Sequence, residues 1–235
     1  MIDSLLANPK TLIYATLGGV IPAIFWLWFW LREEDAEDRE PIGLIVLCFI
    51  LGALLVFIAI WLEKYSANFI SNKTYQVITW ASIEEILKLI GVSFIIWGTN
   101  EVDQPIDYPM YFIAVALGFA AFENVLFLLA PIKASGTVVG LLTGNLRFLG
   151  STLLHSIASA MIGSSLGLAF FVKKYRLWYL IWGILGAITL HSLFNFFIMK
   201  GSGENFLSVF GFLWVVAIIN ILIFEKLKRM GKEML

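Results

Sequence analysis

Residues 74–98 read TYQVITWASIEEILKLIGVSFIIWG, an apolar run with Glu84, Glu85 and Lys88 at its centre. About 20 apolar residues cross the hydrocarbon core as a helix, so the stretch reads as a membrane span. An ionisable side chain at that depth costs roughly 2.5–3.5 kcal/mol on insertion scales and rarely persists without a purpose. Three within five residues mark a site, and the rest of the chain is read outward from them.

Six further runs are long and apolar enough to span. Together the seven fall at about 12–31, 42–62, 74–98, 109–130, 147–172, 177–199 and 205–224. With 60% hydrophobic residues and a mean hydropathy of +0.89, the chain has too much apolar surface for a water-soluble domain. The fold expected is all-α: a polytopic membrane helix bundle forming one domain over residues 1–235, with the site between helices three and six. Pro41, Pro105, Pro109 and Pro131 fall near boundaries, whereas Pro22 lies inside the first span and is expected to kink it. The first apolar run is too long for a signal-peptide core and has no small-x-small cleavage pattern after it, so it reads as a retained helix. A net charge of −1 with short, terminal basic runs excludes nucleic acid as a partner. Cys48 is the only cysteine, which rules out an intrachain disulfide or a Cys-based zinc site. No inverted repeat of the kind common in transporters is visible.

Orientation follows from the basic residues flanking the spans. Arg32, Arg39, Lys173, Lys174, Arg176, Lys226, Lys228, Arg229 and Lys232 collect on one side, against Lys10, Lys64, Lys73, Lys133, Arg147 and Lys200 on the other. The richer side is read as cytoplasmic, with the N-terminus outside and the C-terminus inside. At about 1.5 Å of rise per residue, Glu84 and Glu85 then lie about 15 Å below the outer end of the third helix. Glu123 on the fourth helix lies about 10 Å from its outer end, and His155 and His191 about 12 Å from those of the fifth and sixth. Four helices running in alternating directions thus bring their ionisable groups to similar depths, which scattered structural polar residues would not do.

The chemistry of each group follows from its type and spacing. Glu84 and Lys88, four apart, share a helix face, and Glu85 points about 100° away from Glu84. Adjacent carboxylates repel in a low dielectric and Lys88 supplies the opposing charge, an arrangement suited to a general base beside a charge-tuning lysine. An ion pair between helices is the structural alternative, but it needs only one glutamate. Glu123 adds a third carboxylate. His155 shares a face with Ser151 and Ser159. His191 and Asn195, four apart, suit two donors converging on a developing oxyanion; hydrogen bonding between helices is the alternative for both histidines. HExxH is absent, so the usual helical zinc-protease motif is missing, and no Asp lies inside a predicted span. Gly163-Ser164-Ser165-Leu166-Gly167 matches GxSxG, but Ser165 lies about 15 Å deeper than His155 on the same helix, so the run is read as a packing surface. The acidic loop REEDAEDREP (residues 32–41) reads as a solvated face, and the basic tail from Glu225 as a cap at the lipid headgroups.

On these residues the chain resembles the PrsW family, bacterial members of the CAAX-protease superfamily of glutamic-type intramembrane endopeptidases. The matching elements are Arg39-Glu40-Pro41, EExxK at Glu84 to Lys88, Phe122-Glu123-Asn124, His155, and His191 with Asn195, in order along essentially the whole chain. Phe127 stands where the family's second motif is expected to carry a tyrosine. The resemblance implies proteolysis of membrane-anchored substrates in a bacterial cell membrane, the best known being an anti-sigma factor cut on its extracytoplasmic side.

The reading carried forward is a metal-independent peptidase. In it Glu84 or Glu85, with His155, activates water; His191 and Asn195 stabilise the oxyanion; Lys88 tunes the carboxylates; and Glu123 positions water or a partner side chain. No cofactor is expected, with zinc as the alternative because Glu and His are acceptable ligands. The partners are a membrane-anchored protein substrate and the lipid bilayer, and the number of subunits stays open. Two other functions use the same residues: a proton-coupled transporter with a Glu/His relay, and a non-catalytic scaffold like the one the superfamily contributes to gamma-secretase.

Overall fold

A computed structural model describes residues 9–32, 34, 39–96, 99, 101–135, 137–200 and 206–232. Among them are seven α-helices and no strand: α1 Pro9–Leu31, α2 Ile42–Ala67, α3 Lys73–Ile96, α4 Asp107–Ser135, α5 Thr137–Leu168, α6 Arg176–Lys200 and α7 Phe206–Lys232. A 3₁₀ turn, Lys173–Tyr175, leads into α6. Most of the acidic run between Arg32 and Arg39 lies outside the described residues.

The helix boundaries have local causes. Asn72 caps α3, its Oδ1 accepting the amides of Thr74 at 2.9 Å and Tyr75 at 3.3 Å. Pro41 precedes α2, and Pro109 sits in the first turn of α4, where a missing N–H costs nothing. Several boundaries differ from the hydropathy reading, α4 among them, which runs on to Ser135. Helix α5 begins ten residues earlier, at Thr137, because the mixed stretch TVVGLLTGNL interrupts the apolar run without breaking the helix. The last helix likewise extends through its basic end to Lys232, and α2 runs on to Ala67, which brings Glu63 into its last turns.

Among the described residues five stretches are long and apolar enough to cross a membrane: Pro9–Leu31, Ile42–Ala67, Asp107–Ala134, Lys173–Phe197 and Ser208–Lys232. Helices α3 and α5 are not among them; they carry the EExxK charges and the Gly/Ser/Thr-rich, His155-bearing face respectively. Helix α4 is the centre, packed against α5, α1 and α2, and 78% of its apolar window is buried against 22–33% for the other four. The outer faces of α1, α2, α6 and α7 present Phe25, Trp28, Phe57, Trp61, Trp182 and Leu222 to the surroundings, as lipid-facing helices do.

Lipid tails are as apolar as leucine, so close packing rather than water exclusion must hold such helices together. The α2–α4 crossing shows how. A Cβ at Gly52 would run into the Val115 carbonyl, and one at Gly118 into the Phe49 carbonyl, so each helix offers a glycine to the other's backbone. The GxSxG run is indeed a packing surface. A Cβ at Gly163 would meet the Pro109 backbone, one at Gly167 the Pro105 carbonyl, and Ser165 Oγ donates back to Ile162 O at 2.7 Å.

Candidate active site

The site is built from one turn of α3 facing α4, α5 and α6. Helical spacing puts Glu84, Glu85 and Lys88 on the inward side of α3, where all three are buried, Glu85 and Lys88 completely. His155 from α5 and His191 from α6 reach the same point, their rings edge to face with centroids 4.9 Å apart. Glu123 comes from α4. Every ionisable group singled out in the sequence therefore belongs to one cluster.

Within it the two glutamates have different surroundings. Glu85 is fully engaged. Its Oε1 accepts Lys88 Nζ at 2.7 Å and His191 Nδ1 at 2.8 Å, and its Oε2 accepts the Ser159 hydroxyl at 3.2 Å. Glu84 Oε2 is buried without a hydrogen-bond partner. It lies 3.8 Å from His155 Nδ1, 3.8 Å from His191 Nε2 and 3.9 Å from Lys88 Nζ. Polar atoms separated by that much are the ones a single water bridges.

The tautomers follow from the partners. Lysine has donors only, so His155 Nδ1 accepts Lys88 Nζ at 2.8 Å, and its Nε2–H donates to Glu123 Oε2 at 2.9 Å. A carboxylate accepts only, so His191 Nδ1–H donates to Glu85, leaving the Nε2 lone pair facing Glu84. Lys88 Nζ also lies 4.7 Å from the centre of the Phe119 ring, a cation–π contact that suits a desolvated ammonium. Glu123 is the accessible member, with 38% of its side chain exposed, and marks the mouth. Asn195, one turn on from His191, is half-buried and makes no hydrogen bond to a described residue.

Two members were missed by the sequence reading. Glu63 lies just past the end of the second span as read from hydropathy, yet the structure carries it on α2, with Glu84 and Glu123 as its acidic neighbours. Ser159 was noted only as a neighbour of His155 along the helix. The signal for Glu63 was its position immediately after an unbroken apolar run, where a helix need not stop.

Fold and site together define a multi-pass helical membrane protein with a buried Glu/His/Lys cluster opening at Glu123. A model of the PrsW family, described as intramembrane metalloproteases, matches residues 40–222. Proteins named Protease PrsW are similar along most of their length. That of Geobacillus kaustophilus is 30% identical over 186 residues, covering 77% of this chain and 78% of the relative. That of Oceanobacillus iheyensis is 29% identical over 215 residues, covering 87% and 93%. That of Bacillus subtilis is 28% identical over 187 residues, covering 76% and 80%. No solved structure matches. The chain belongs to the PrsW family of intramembrane proteases.

The family description raises a metal, and the donors present suit one. Glu84, His155 and His191 each offer a ligand atom, all within 4.8 Å of one another. Glu85 behind His191 would serve as the outer carboxylate that fixes a metal-binding imidazole. Zinc held there would polarise a carbonyl and acidify water. Lys88 is the one poor fit, because its ammonium occupies His155 Nδ1, the nitrogen that would be the ligand.

Proposed function

We propose that this chain is a glutamic-type endopeptidase that hydrolyses a peptide bond of a membrane-anchored protein, such as an anti-sigma factor, near the extracytoplasmic face. The observation that carries the reading is the Glu84 carboxylate oxygen, buried, unpartnered and 3.8 Å from both histidine rings. A water there donates one hydrogen to Glu84 Oε2 and the other to His191 Nε2, which aims its lone pair at the scissile carbonyl. Glu84 takes the proton and returns it to the leaving amine, and Lys88 and Asn195 supply donors to the oxyanion. His155 and Glu123 hold Lys88 from behind. Compared with the assignment read from the sequence, the two histidines exchange parts, because Lys88 engages the His155 nitrogen that faces Glu84. The positive-inside orientation, N-terminus outside, supports a site displaced toward the outer face. Neither a relay without a hydrolytic water nor a scaffold requires an orphaned carboxylate between two imidazoles.

A second reading keeps the reaction and adds zinc on Glu84, His155 and His191, favoured by their convergence. One experiment separates these readings. The protein in nanodiscs is offered a panel of single-span membrane proteins, with Glu84→Gln alongside, chelator in parallel, and elemental analysis of the active preparation. Cleavage that survives chelation and falls about 10²–10⁴-fold in Glu84→Gln is expected. Stoichiometric zinc, with activity lost on chelation and restored by zinc, would establish the second reading. Glu84-dependent proton-coupled uptake by a folded protein that cleaves nothing would return the cluster to a carrier.

A further inference from the structure

Asn124 follows Glu123 on α4 and is 3% exposed, and Thr152 on α5 is fully buried. Their side chains meet: Asn124 Nδ2 donates to Thr152 Oγ1 at 3.0 Å. A hydroxyl both donates and accepts, so the bond stands with either orientation of the amide. Beside it, Glu123 Oε2 accepts His155 Nε2–H at 2.9 Å. One step forward along α4, from Glu123 to Asn124, is matched by a step back of three residues along α5, from His155 to Thr152, and residues three apart lie on one helix face. The two bonds are therefore neighbours across a single antiparallel crossing.

Stability alone does not account for the polar pair. Hydrogen bonds between the helices of a membrane bundle contribute little net, because separated helices find other partners. Replacing both members of a buried pair by apolar groups of the same shape can be nearly neutral. What a hydrogen bond adds to apolar packing is direction, since it weakens outside a narrow range of distance and angle. The crossing is already fastened toward its other end, where a Cβ at Gly163 would meet the Pro109 backbone. Contact at one point still lets two helices pivot. Asn124 and Thr152 supply a second point, about 16 Å away along α5, and Glu123 with His155 falls between the two.

Glu123 is the member of the cluster that most needs such support. Its side chain is 38% exposed, so water competes for the carboxylate. Its bond to His155 keeps the imidazole hydrogen on Nε2 and leaves the Nδ1 lone pair to accept Lys88 Nζ at 2.8 Å. We propose that Asn124 and Thr152 are a positioning pair: they set the α4–α5 register at which Glu123 meets His155, and through His155 they aim Lys88 at the developing oxyanion. This inference rests on the peptidase reading, in which Lys88 is an oxyanion donor, and adds to it two residues that act only through others.

The test reads geometry and turnover separately on the full chain in nanodiscs. His155 and His191 are the only histidines, so ¹⁵N-histidine labelling shows two imidazoles alone. Their bonding makes them opposite tautomers, and the ring-nitrogen shifts tell one from the other. Thr152→Val keeps the shape of the side chain and removes the hydroxyl. In it the single Nε2–H tautomer of His155 should give way to a mixture, and kcat should fall by up to about 10²-fold with KM little changed, as a displacement of about 1 Å produces. Thr152→Ser, which keeps the hydroxyl, should recover both. Asn124→Leu should match Thr152→Val, and should lower kcat no further in a Glu123→Gln background, because it acts through Glu123. If Asn124→Leu does not fold, Thr152→Val carries the test. A folded Thr152→Val with an unchanged His155 tautomer or an unchanged kcat would overturn the pair, and so would additive losses in the double variant. A wild type that cleaves nothing, with the tautomer still shifting in Thr152→Val, would instead sink the peptidase reading and leave the register role standing.

Discussion

The two glutamates of EExxK can be separated by stability where activity cannot separate them. Glu85→Gln keeps the shape of the side chain, and its amide oxygen can still accept Lys88 and His191, both of which bond to Glu85 Oε1. What it removes is charge. The Lys88 ammonium, fully buried, then has Glu84 at 3.9 Å as its nearest carboxylate among the described residues. Breaking a buried pair by removing one partner costs about 3–5 kcal/mol, and the distant Glu84 moves the expectation to the lower end, about 3 kcal/mol. Glu84→Gln removes a carboxylate oxygen that has no hydrogen-bond partner and ionic contacts only at 3.8–3.9 Å, so its cost stays below about 1 kcal/mol. At about 2–4 °C per kcal/mol for a chain of this size, Glu85→Gln should melt about 6–12 °C below wild type and Glu84→Gln within about 4 °C of it. Nine tryptophans make intrinsic fluorescence a direct readout of unfolding in nanodiscs. Both variants should lose cleavage, Glu84→Gln through loss of the base and Glu85→Gln through loss of the groups it orients. Equal melting temperatures, or a deeper fall in Glu84→Gln, would refute the division of labour between the two residues.

Three other outcomes are expected. Asn195→Ala should lower kcat by about 10²–10³ with little change in KM, since an oxyanion donor acts only as charge develops; a raised KM at unchanged kcat would make Asn195 a binding residue. Gly118→Ala drives a methyl into the Phe49 carbonyl on α2 and should cost at least about 1–3 kcal/mol in the same melting assay, whereas Gly43→Ala, which meets nothing within 4 Å, should cost far less. A cysteine replacing Lys174 should be protected from an impermeant maleimide in intact cells, and with Cys48 buried the background is low; labelling there would reverse the assigned orientation.

Much of the fold was legible because hydrocarbon imposes one rule. A spanning segment must be a helix and must be apolar, so run length reported both element type and number. The cluster was legible for the converse reason: Glu84, Glu85, Lys88, Glu123, His155 and His191 are the groups that rule should exclude, and their matching depths required that they meet. The same rule failed where the helix outlasts the hydrocarbon. Hydropathy has no means of distinguishing a helix that leaves the membrane from one that stops, so it ends the second span at residue 62 and leaves Glu63 just beyond it.

What spacing could not supply was the allocation of hydrogen bonds. Glu84 and Glu85 are adjacent in sequence and equivalent by residue type, and only the approach of α5 and α6 distinguishes them. Helix α6 brings His191 Nδ1 and α5 brings Ser159 onto Glu85, beside Lys88 from its own helix. That leaves Glu85 Oε1 engaged by both Lys88 and His191, and leaves Glu84 with an oxygen that no described residue satisfies. An unsatisfied buried carboxylate oxygen costs folding free energy, on the order of 1–3 kcal/mol or more for a charged group. A structural ion pair would lose that cost by keeping one glutamate and placing an apolar residue at the other. Retaining both is understandable when the second serves a transient partner, and a water held between Glu84 and His191 is the partner that peptide hydrolysis requires.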